Sequence, residues 1–289
     1  MKIKKSLINL TPNQIIEQAN LIPYIIIEII ALTKRLYLQI IRRPSTFIAG
    51  MIQPLLWLFL FGALFQNTPV NLFTNNIKYE QFLSPGIIIF TSFNGSINAG
   101  LPLMFDREFG FLNRLLISPL AIRDSLLISS LISIITITLF QTFTIISFNI
   151  FFLKSITNIY SFHTIIQIII LTTLNIATIS ICLAFILPGH IEFLALLLLI
   201  NLPTLFSSTA LAPLSFMPYW LQIIACLNPI TYAIEILRYI CSDQTINYST
   251  KIIKTVWFNF SLYDSILILV IINIISFIVV KYIIKYKYE

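Results

Sequence analysis

The sequence predicts an all-α polytopic membrane protein with six transmembrane helices, an N-terminal interfacial helix and an outer re-entrant segment between helices five and six. Its 289 residues are 58% hydrophobic and only 10% charged, with a mean hydropathy of +0.93. A soluble domain would carry about a quarter charged residues. Apolar runs and short loops use nearly the whole chain, so we expect a single transmembrane domain over residues 1–289. It would consist of an inner N-terminal segment (1–45) and a six-span region (46–289).

Six stretches are long and apolar enough to cross a bilayer, which takes about 20 such residues. In chain order they are Phe47–Phe65, Gly86–Phe105, Ser125–Phe152, Thr164–Leu187, Phe193–Leu214 and Tyr263–Tyr282. The third is long enough to tilt or to project from the membrane. An even number of spans places both termini on the same side.

The stretch Tyr24–Arg43 precedes the first span and is apolar, but it also carries charged and amide side chains. Four of these share one face of a predicted helix: Glu28, Arg35, Gln39 and Arg42. Such a pattern predicts an interfacial helix, which Pro44 ends. The alternative is a true span over Ile22–Gln39. It would place three charges at membrane depth, which costs about 2.5–3.5 kcal/mol for a charge at the helix centre.

The distribution of basic residues predicts on which side of the membrane the termini lie. Thirteen of the 18 basic residues lie in segments on the same side of the membrane as the termini: Lys2, Lys4, Lys5, Lys34, Arg35, Arg42, Arg43, Arg107, Arg114, Arg123, Lys281, Lys285 and Lys287. The other five lie opposite: Lys78, Lys154, Arg238, Lys251 and Lys254. By the positive-inside rule both termini face the cytoplasm, or the stroma of a plastid. Because these residues flank apolar runs, the net charge of +7 indicates contact with membrane lipid and not with nucleic acid.

The stretch Leu205–Arg238 is apolar, but proline interrupts it three times. Each proline removes a backbone donor and disfavours helix in the residue before it. We therefore predict a segment that enters the membrane and turns back, with Tyr219 and Trp220 at headgroup level and protein covering its irregular backbone. Its candidate residues are Pro213, Pro218, Trp220, Asn228 and Pro229.

The second informative stretch is Phe105–Leu120, FDREFGFLNRLLISPL, between spans two and three. Four apolar residues recur at helical spacing: Phe105, Phe109, Leu112 and Leu116. The polar residues lie off this stripe: Asp106, Arg107, Asn113 and Arg114. The pattern predicts one short amphipathic helix at the membrane surface, ended by Pro119. Taken alone, it suits equally well a helix that only anchors span three.

Both stretches resemble, nearly residue for residue, segments of ABC-2 type transporter permeases close to the daunorubicin-resistance type. The inner loop shares Asp-Arg-Glu-Phe-Gly and a Ser-Pro-Leu step. The outer segment shares Pro-Leu-Ser, Met-Pro-x-Trp-Leu and Leu-Asn-Pro-Ile-Thr-Tyr. Two features depart from the family: Asn113 replaces the usual acidic residue, and the loop Ser242–Asn259 matches no motif.

This resemblance implies a permease subunit, an exporter, that works as a dimer, here a homodimer, with a separate ATP-binding-cassette ATPase subunit. In the family the inner loop contacts that ATPase. The residues carried over as an ATPase-coupling helix are Asp106, Arg107, Glu108, Phe109, Gly110, Leu112, Arg114, Leu116 and Pro119.

The chain has no recognisable nucleotide-binding loop. A Walker A loop requires Gly-Lys followed by Ser or Thr, and none of the seven glycines precedes a lysine. We therefore expect a permease without catalytic residues, with ATP and magnesium on the partner ATPase. The three cysteines and two histidines have no ligand-like spacing, so no metal site is expected.

Three amide side chains within the spans, Gln53, Asn94 and Asn98, are candidates for a polar path. Hydrogen bonding between helices, worth about 0.6 kcal/mol on average, is the alternative that we favour. Ser96 and Gly100 form a small-x-x-x-small pair, which suits close helix packing.

A second function stays open: a membrane assembly factor of permease-like fold, of the cytochrome-biogenesis type, that moves no solute. A secondary transporter is disfavoured because no ionisable residue lies deep in a predicted span. The transported substrate does not follow from the sequence. Abundant Ile and Asn with scarce Gly and Ala indicate an AT-rich gene. This composition favours a plastid (chloroplast) membrane, with a bacterial inner membrane as the alternative.

Overall fold

Long α-helices dominate the computed structural model, which describes residues 21–42, 44–65, 79–117, 125–153, 159–241, 250–254 and 258–288. The helices are α1 (Leu21–Arg42), α2 (Pro44–Phe65), α3 (Tyr79–Ile97), α4 (Gly100–Glu108), α5 (Phe111–Ile117), α6 (Ser125–Phe148), α7 (Ile159–Ile186), α8 (His190–Phe206), α9 (Tyr219–Leu227), α10 (Pro229–Cys241) and α11 (Leu262–Tyr288). A π-helical turn, Asn149–Leu153, extends α6. A short antiparallel pair, β1 (Lys251–Lys254) and β2 (Asn259–Ser261), precedes α11.

Within the described residues, five helical stretches are long and apolar enough to cross a membrane. They are Pro44–Phe65, Tyr79–Glu108, Ser125–Phe151, Phe162–Ile186 and Leu262–Ile283. The pair α9 and α10 is apolar enough to make a sixth, but it is bent by 87°. The prediction of a polytopic all-α membrane protein is therefore confirmed, and five of the predicted spans coincide with these helices.

The predicted fifth span, Phe193–Leu214, does not form one helix. Helix α8 has 17 residues and ends at Phe206, so it is shorter than the roughly 20 residues that a span requires. The helix ends before Ser207, and after it a side-chain hydroxyl bonds to backbone groups that a continuing helix would pair within its own backbone. The Ser208 hydroxyl donates to the Leu205 carbonyl at 2.7 Å and accepts from the Ala210 N–H at 3.3 Å.

Helices α3 and α7 form the centre of the bundle, and small residues of α3, α4 and α7 let these helices approach one another closely. The Ser92 and Thr172 hydroxyls lie 3.3 Å apart, and the Gly100 N–H donates to the Ser180 hydroxyl at 2.9 Å. A Cβ atom at Gly100 would lie 2.9 Å from the ring of Phe193 on α8, so a larger residue would force the helices apart. The predicted packing role of Gly100 is confirmed.

Helix α1 forms where the interfacial helix was predicted, but only some of its polar residues are exposed: Lys34, Gln39 and Arg42 are, whereas Glu28, Arg35 and Tyr37 contact the bundle. It runs alongside α6: the Glu28 carboxylate accepts from the Ser125 hydroxyl at 2.5 Å, and the Tyr37 and Thr136 hydroxyls are hydrogen-bonded. Its outward face is largely apolar and includes exposed Ile27. A helix packed this way can bury its charges against protein while it turns apolar side chains outward.

Candidate functional site

The inner-loop motif lies at one end of the bundle, which we call the basic end. The single helix predicted over Phe105–Leu120 is wrong, because two helices, α4 and α5, meet at a turn of Phe109 and Gly110. Gly110 has a φ of 71°, in the left-handed region that residues with a Cβ atom avoid. The chain therefore changes direction at this glycine. Pro119, the predicted end of the helix, lies outside the described residues.

Asp106 connects the loop to α1. Its carboxylate forms an ion pair with Arg35, and the Arg35 guanidinium carbon lies 4.1 Å from the centre of the Phe111 ring. Asp106 is on α4 and Phe111 is on α5. One arginine of α1 therefore contacts the loop on both sides of the turn at Gly110, through an ion pair and a cation–π interaction.

Arg107 stabilises the end of α7. Its guanidinium donates to the carbonyls of Ala184 at 2.8 Å, Phe185 at 3.0 Å and Pro188 at 2.8 Å, and also to that of Leu187. The last carbonyls of a helix have no partner within the helix and carry partial negative charge, so a cation here satisfies both requirements. The Arg107 guanidinium is thus held by contacts within this chain.

Glu108 connects the loop to α8. Its carboxylate lies 2.5 Å from Nδ1 of His190, the first residue of α8, and the Phe105 ring packs 5.4 Å from the imidazole. Both partners of the pair are about one-third exposed. Three consecutive residues, Asp106 to Glu108, therefore contact three different helices: α1, α7 and α8.

The predicted apolar stripe is divided by the turn. Phe109 is 76% exposed, whereas Leu112 is 2% exposed and packs in a cluster with Leu127 and Ile181. Leu112 is therefore a core residue and is not available to a partner, contrary to its predicted role in docking. Among the α5 side chains that the structure describes, the exposed ones are Arg114, Ile117, which is 85% exposed, and Phe111, which lies against Arg35. The side chain of Leu116 is outside the described part.

At the opposite end of the bundle, prolines stand at helix starts. Pro218 precedes α9 and Pro229 is the first residue of α10, while Pro213 precedes a single 3₁₀ turn, Leu214–Phe216. Proline suits these positions because its fixed φ is helical and its missing donor is not required there. The predicted interruption of the segment is confirmed. Tyr219 and Trp220 are exposed.

Asn228 holds the bend between α9 and α10 against the end of α8. Its side-chain nitrogen lies 3.2 Å from the Thr204 carbonyl and 3.4 Å from the Ser207 hydroxyl. Its side-chain oxygen accepts from the Ile230 N–H at 3.1 Å. One amide thus satisfies backbone groups on both broken elements.

Arg238 holds the same region from α10. Its guanidinium is 2.5 Å from the Glu235 carboxylate, donates to the Thr209 carbonyl at 2.7 Å and stacks 3.9 Å from the Phe82 ring centre. The two charged side chains are only 17% and 16% exposed. The i, i+3 spacing along the sequence suits the pairing with Glu235. It gives no sign of Thr209 or Phe82, which lie far away along the chain.

The three candidate path residues do not share one surface. Asn94 is buried in α3, Asn98 is exposed and donates to the Asn94 carbonyl at 2.8 Å, and Gln53 is exposed on α2. A different amide, Gln141, is buried among three helices. It donates to the Phe47 carbonyl at 3.3 Å, and its side chain lies where Cβ atoms at Gly50 and Gly95 would be. This contact favours a packing role for the amides.

Comparisons with known proteins identify the family of this chain. The family model of the ABC-2 type transporter matches residues 27–241. The chain is 53% identical over 261 residues to a transport permease ycf38 of Porphyra purpurea, covering 90% of each chain. It is 52% identical to the ycf38 permease of Pyropia yezoensis (90% and 89% covered) and 47% identical to that of Cyanophora paradoxa (91% and 90% covered). All three relatives come from plastid-bearing organisms.

Proposed function

The chain belongs to the ABC-2 type transporter family, and we propose that it is the permease subunit of an ATP-driven exporter whose energy comes from a separate ATPase subunit. The observation that carries this proposal is the loop at the basic end. The loop exposes Phe109, Arg114 and Ile117 to a partner, while Asp106, Arg107 and Glu108 connect it to three helices.

This arrangement suits the transfer of force. A partner that pushes on the exposed residues moves a loop that Asp106, Arg107 and Glu108 connect to α1, α7 and α8. Because packed helices move as units and not by continuous deformation, displacement of the loop would shift those helices together. The predicted coupling residues therefore divide into two groups, those that contact the ATPase and those that pass its motion to the bundle.

The ATPase has to be another polypeptide in this proposal. None of the seven glycines precedes a lysine, so this chain has no P-loop to bind nucleotide phosphates. ATP and magnesium would bind to the partner, and the permease would supply the path. We take residues 1–289 as one transmembrane domain, with no catalytic site of its own.

At the opposite end, we assign α9 and α10 to a re-entrant segment in the outer half of the membrane. Its sharp bend, its exposed Tyr219 and Trp220 and the buried backbone of residues 207–210 support this assignment. Backbone that leaves helical geometry at membrane depth must be covered by protein, and here α3 and Arg238 cover it.

A homodimer in a plastid membrane completes the proposal. Large parts of α2 and α8 expose apolar side chains, such as Leu60 and Leu199, and a second copy would cover some of them. The division of basic residues along the sequence supports a stromal position for both termini. The plastid-bearing organisms of the relatives support the compartment.

Affinity purification of the permease from native membranes tests this function. We expect an ATP-binding-cassette ATPase to co-purify in a stoichiometric amount, and the complex to hydrolyse ATP. A solute that stimulates this hydrolysis would identify the substrate. Recovery of a well-folded permease with cytochrome-assembly proteins and without an ATPase would support the assembly-factor alternative instead.

A further inference from the structure

An open apolar groove lies where α1 gives way to α2, beside α6. Its walls are Tyr37 and Ile41 at the end of α1, Pro44 and Phe47 at the start of α2, and Ile137 and Phe140 of α6. The groove has a volume of about 420 Å³, which is within the size range of ligand pockets, about 300–1,000 Å³. The Tyr37 hydroxyl is hydrogen-bonded to Thr136, so the side chains leave an apolar surface in the groove.

The groove continues along α6 towards α7. A second apolar groove shares Thr136 and Phe140 with the first and extends to Ile146 of α6 and Phe162 of α7. From residue 136 to residue 146 a helix rises about 15 Å. This length is half of the roughly 30 Å hydrocarbon thickness of a bilayer, which is the depth of one leaflet.

Two cations of α1, Lys34 and Arg42, flank along the helix the residues that α1 contributes to the groove. Lys34 precedes Tyr37 and Ile41 by three and seven residues, so it shares their face of α1, and Arg42 is next to Ile41. Both are exposed, and among the described residues neither is in an ion pair, whereas neighbouring Arg35 is paired with Asp106. Neither α2 nor α6 carries an acidic residue, and the Glu28 carboxylate of α1 accepts a hydrogen bond from Ser125.

We propose that this groove binds an acyl chain of an anionic glycerolipid, with the charged headgroup of the lipid between Lys34 and Arg42. The apolar walls suit an acyl chain, and the length of the groove equals the depth of one leaflet. The two cations attract a negatively charged headgroup, because no acidic side chain is paired with them among the described residues. The site is separate from the surface that meets the ATPase, and the proposal does not depend on the transport function.

Lipid binding to the purified permease in detergent tests this site, with phosphatidylglycerol and phosphatidylcholine of identical acyl chains as probes. We expect phosphatidylglycerol to bind more tightly to the wild type. The double variant Lys34→Gln/Arg42→Gln should bind phosphatidylglycerol about fivefold more weakly for each charge removed. Lys251→Gln, which removes an exposed charge at the opposite end, is the matched control and should bind as the wild type does.

A second pair of variants tests the groove itself. Ile137→Trp should fill it and weaken the binding of both lipids, while Ile128→Trp, at an exposed position elsewhere on α6, should not. Melting temperatures of all variants control for folding. Equal affinity of the wild type for the two lipids would overturn the proposal. Unchanged lipid binding by Ile137→Trp would also overturn it, as would competition by free glycerol phosphate. A third contrary result would be an Ile137→Trp variant that loses a permease dimer and keeps its bound lipid.

Discussion

Arg107 shows how the permease places a charge at the end of a buried helix. Its guanidinium donates to two carbonyls in the last turn of α7 and to two just after the helix, and no single neutral side chain could replace that many contacts. The charge itself also opposes the partial negative charge of the helix end. The role of Arg107 is therefore first to hold α4 against α7, and through this contact to connect the loop to the bundle.

Replacement of Arg107 by Gln tests this role. We expect a loss of about 1.5–3 kcal/mol in the free energy of unfolding, because hydrogen bonds from a charged donor are lost from a partly buried site. Equilibrium unfolding of the purified permease in mixed detergent micelles measures it. Arg114→Gln removes the same charge from an exposed position and should change stability by less than about 0.5 kcal/mol. Equal stability of both variants would show that Arg107 does not cap α7.

The sequence predicted that the Asp106–Glu108 motif is functional but not what each residue contacts. The partners Arg35, Ala184 and His190 lie between 71 and 82 residues away along the chain, so no local pattern identifies them. Charged residues beside an apolar stripe are usually interpreted as a solvated face. Here the three consecutive residues contact three different helices, α1, α7 and α8. These contacts can be identified only from the three-dimensional arrangement of the helices.

At the scale of elements, Gly110 determines the shape of the loop. A helix tolerates glycine, so the apolar periodicity of Phe105–Leu120 predicted one helix across it. The left-handed φ of Gly110 separates α4 from α5, and the separation turns Phe109 outward while Leu112 enters the core. The faces of the two helices could not be assigned correctly without this break.

Gly110→Ala should destabilise the loop through the backbone alone, because no atom lies within 4 Å of a Cβ placed there. The left-handed conformation costs about 1–2 kcal/mol for a residue with a Cβ atom. Gly110→Asn should lose less, since asparagine adopts this conformation more readily. The midpoint of chemical unfolding distinguishes them. A Gly110→Ala variant as stable as the wild type would mean that the turn at Gly110 is not fixed.

The spans were predictable from the sequence because apolar runs of about 20 residues depend on composition and not on partners. The end of α8 was not, because apolar composition continues to Leu214 while the helix stops at Phe206. What stabilises this stop comes from later in the chain. Asn228 reaches the Thr204 carbonyl and Arg238 reaches the Thr209 carbonyl, from 24 and 29 residues further on.

Asn228→Ala should therefore loosen the end of α8. It removes the donor to Thr204 and the acceptor for the Ile230 N–H, each worth about 0.5–1.5 kcal/mol. We expect the backbone amides of residues 205–210 to exchange hydrogen faster, as mass spectrometry of peptides would detect. Ile224→Ala on α9 is the control and should leave their exchange unchanged. Unaltered exchange in Asn228→Ala would remove Asn228 from this role.

At the scale of the whole molecule, the orientation in the membrane that we propose from the division of basic residues can be measured directly. In a background without Cys182, Cys226 and Cys241, single cysteines at Arg114 and Lys251 report on the two ends of the bundle. An impermeant thiol reagent added to intact plastids or cells should label the cysteine at Lys251 and spare the one at Arg114. Labelling of Arg114→Cys but not of Lys251→Cys would show that the topology is the reverse of the one we propose.

The whole molecule thus combines a lipid-facing bundle with a loop whose exposed and buried residues have different tasks. Exposed Phe109, Arg114 and Ile117 are available to a partner, and buried Leu112 holds the loop on the bundle. A charge at Leu112 would damage the fold and release a partner only indirectly. The informative position for coupling is therefore Ile117, where a charge leaves the fold intact.

Co-purification of the ATPase with Ile117→Asp tests the central claim most directly. An unpaired carboxylate buried at the contact costs several kcal/mol, so this variant should lose the ATPase while its melting temperature stays that of the wild type. Phe258→Asp, at an exposed aromatic residue near the opposite end, should keep the ATPase. Stoichiometric ATPase retained by well-folded Ile117→Asp would contradict the account and leave the loop as a membrane anchor.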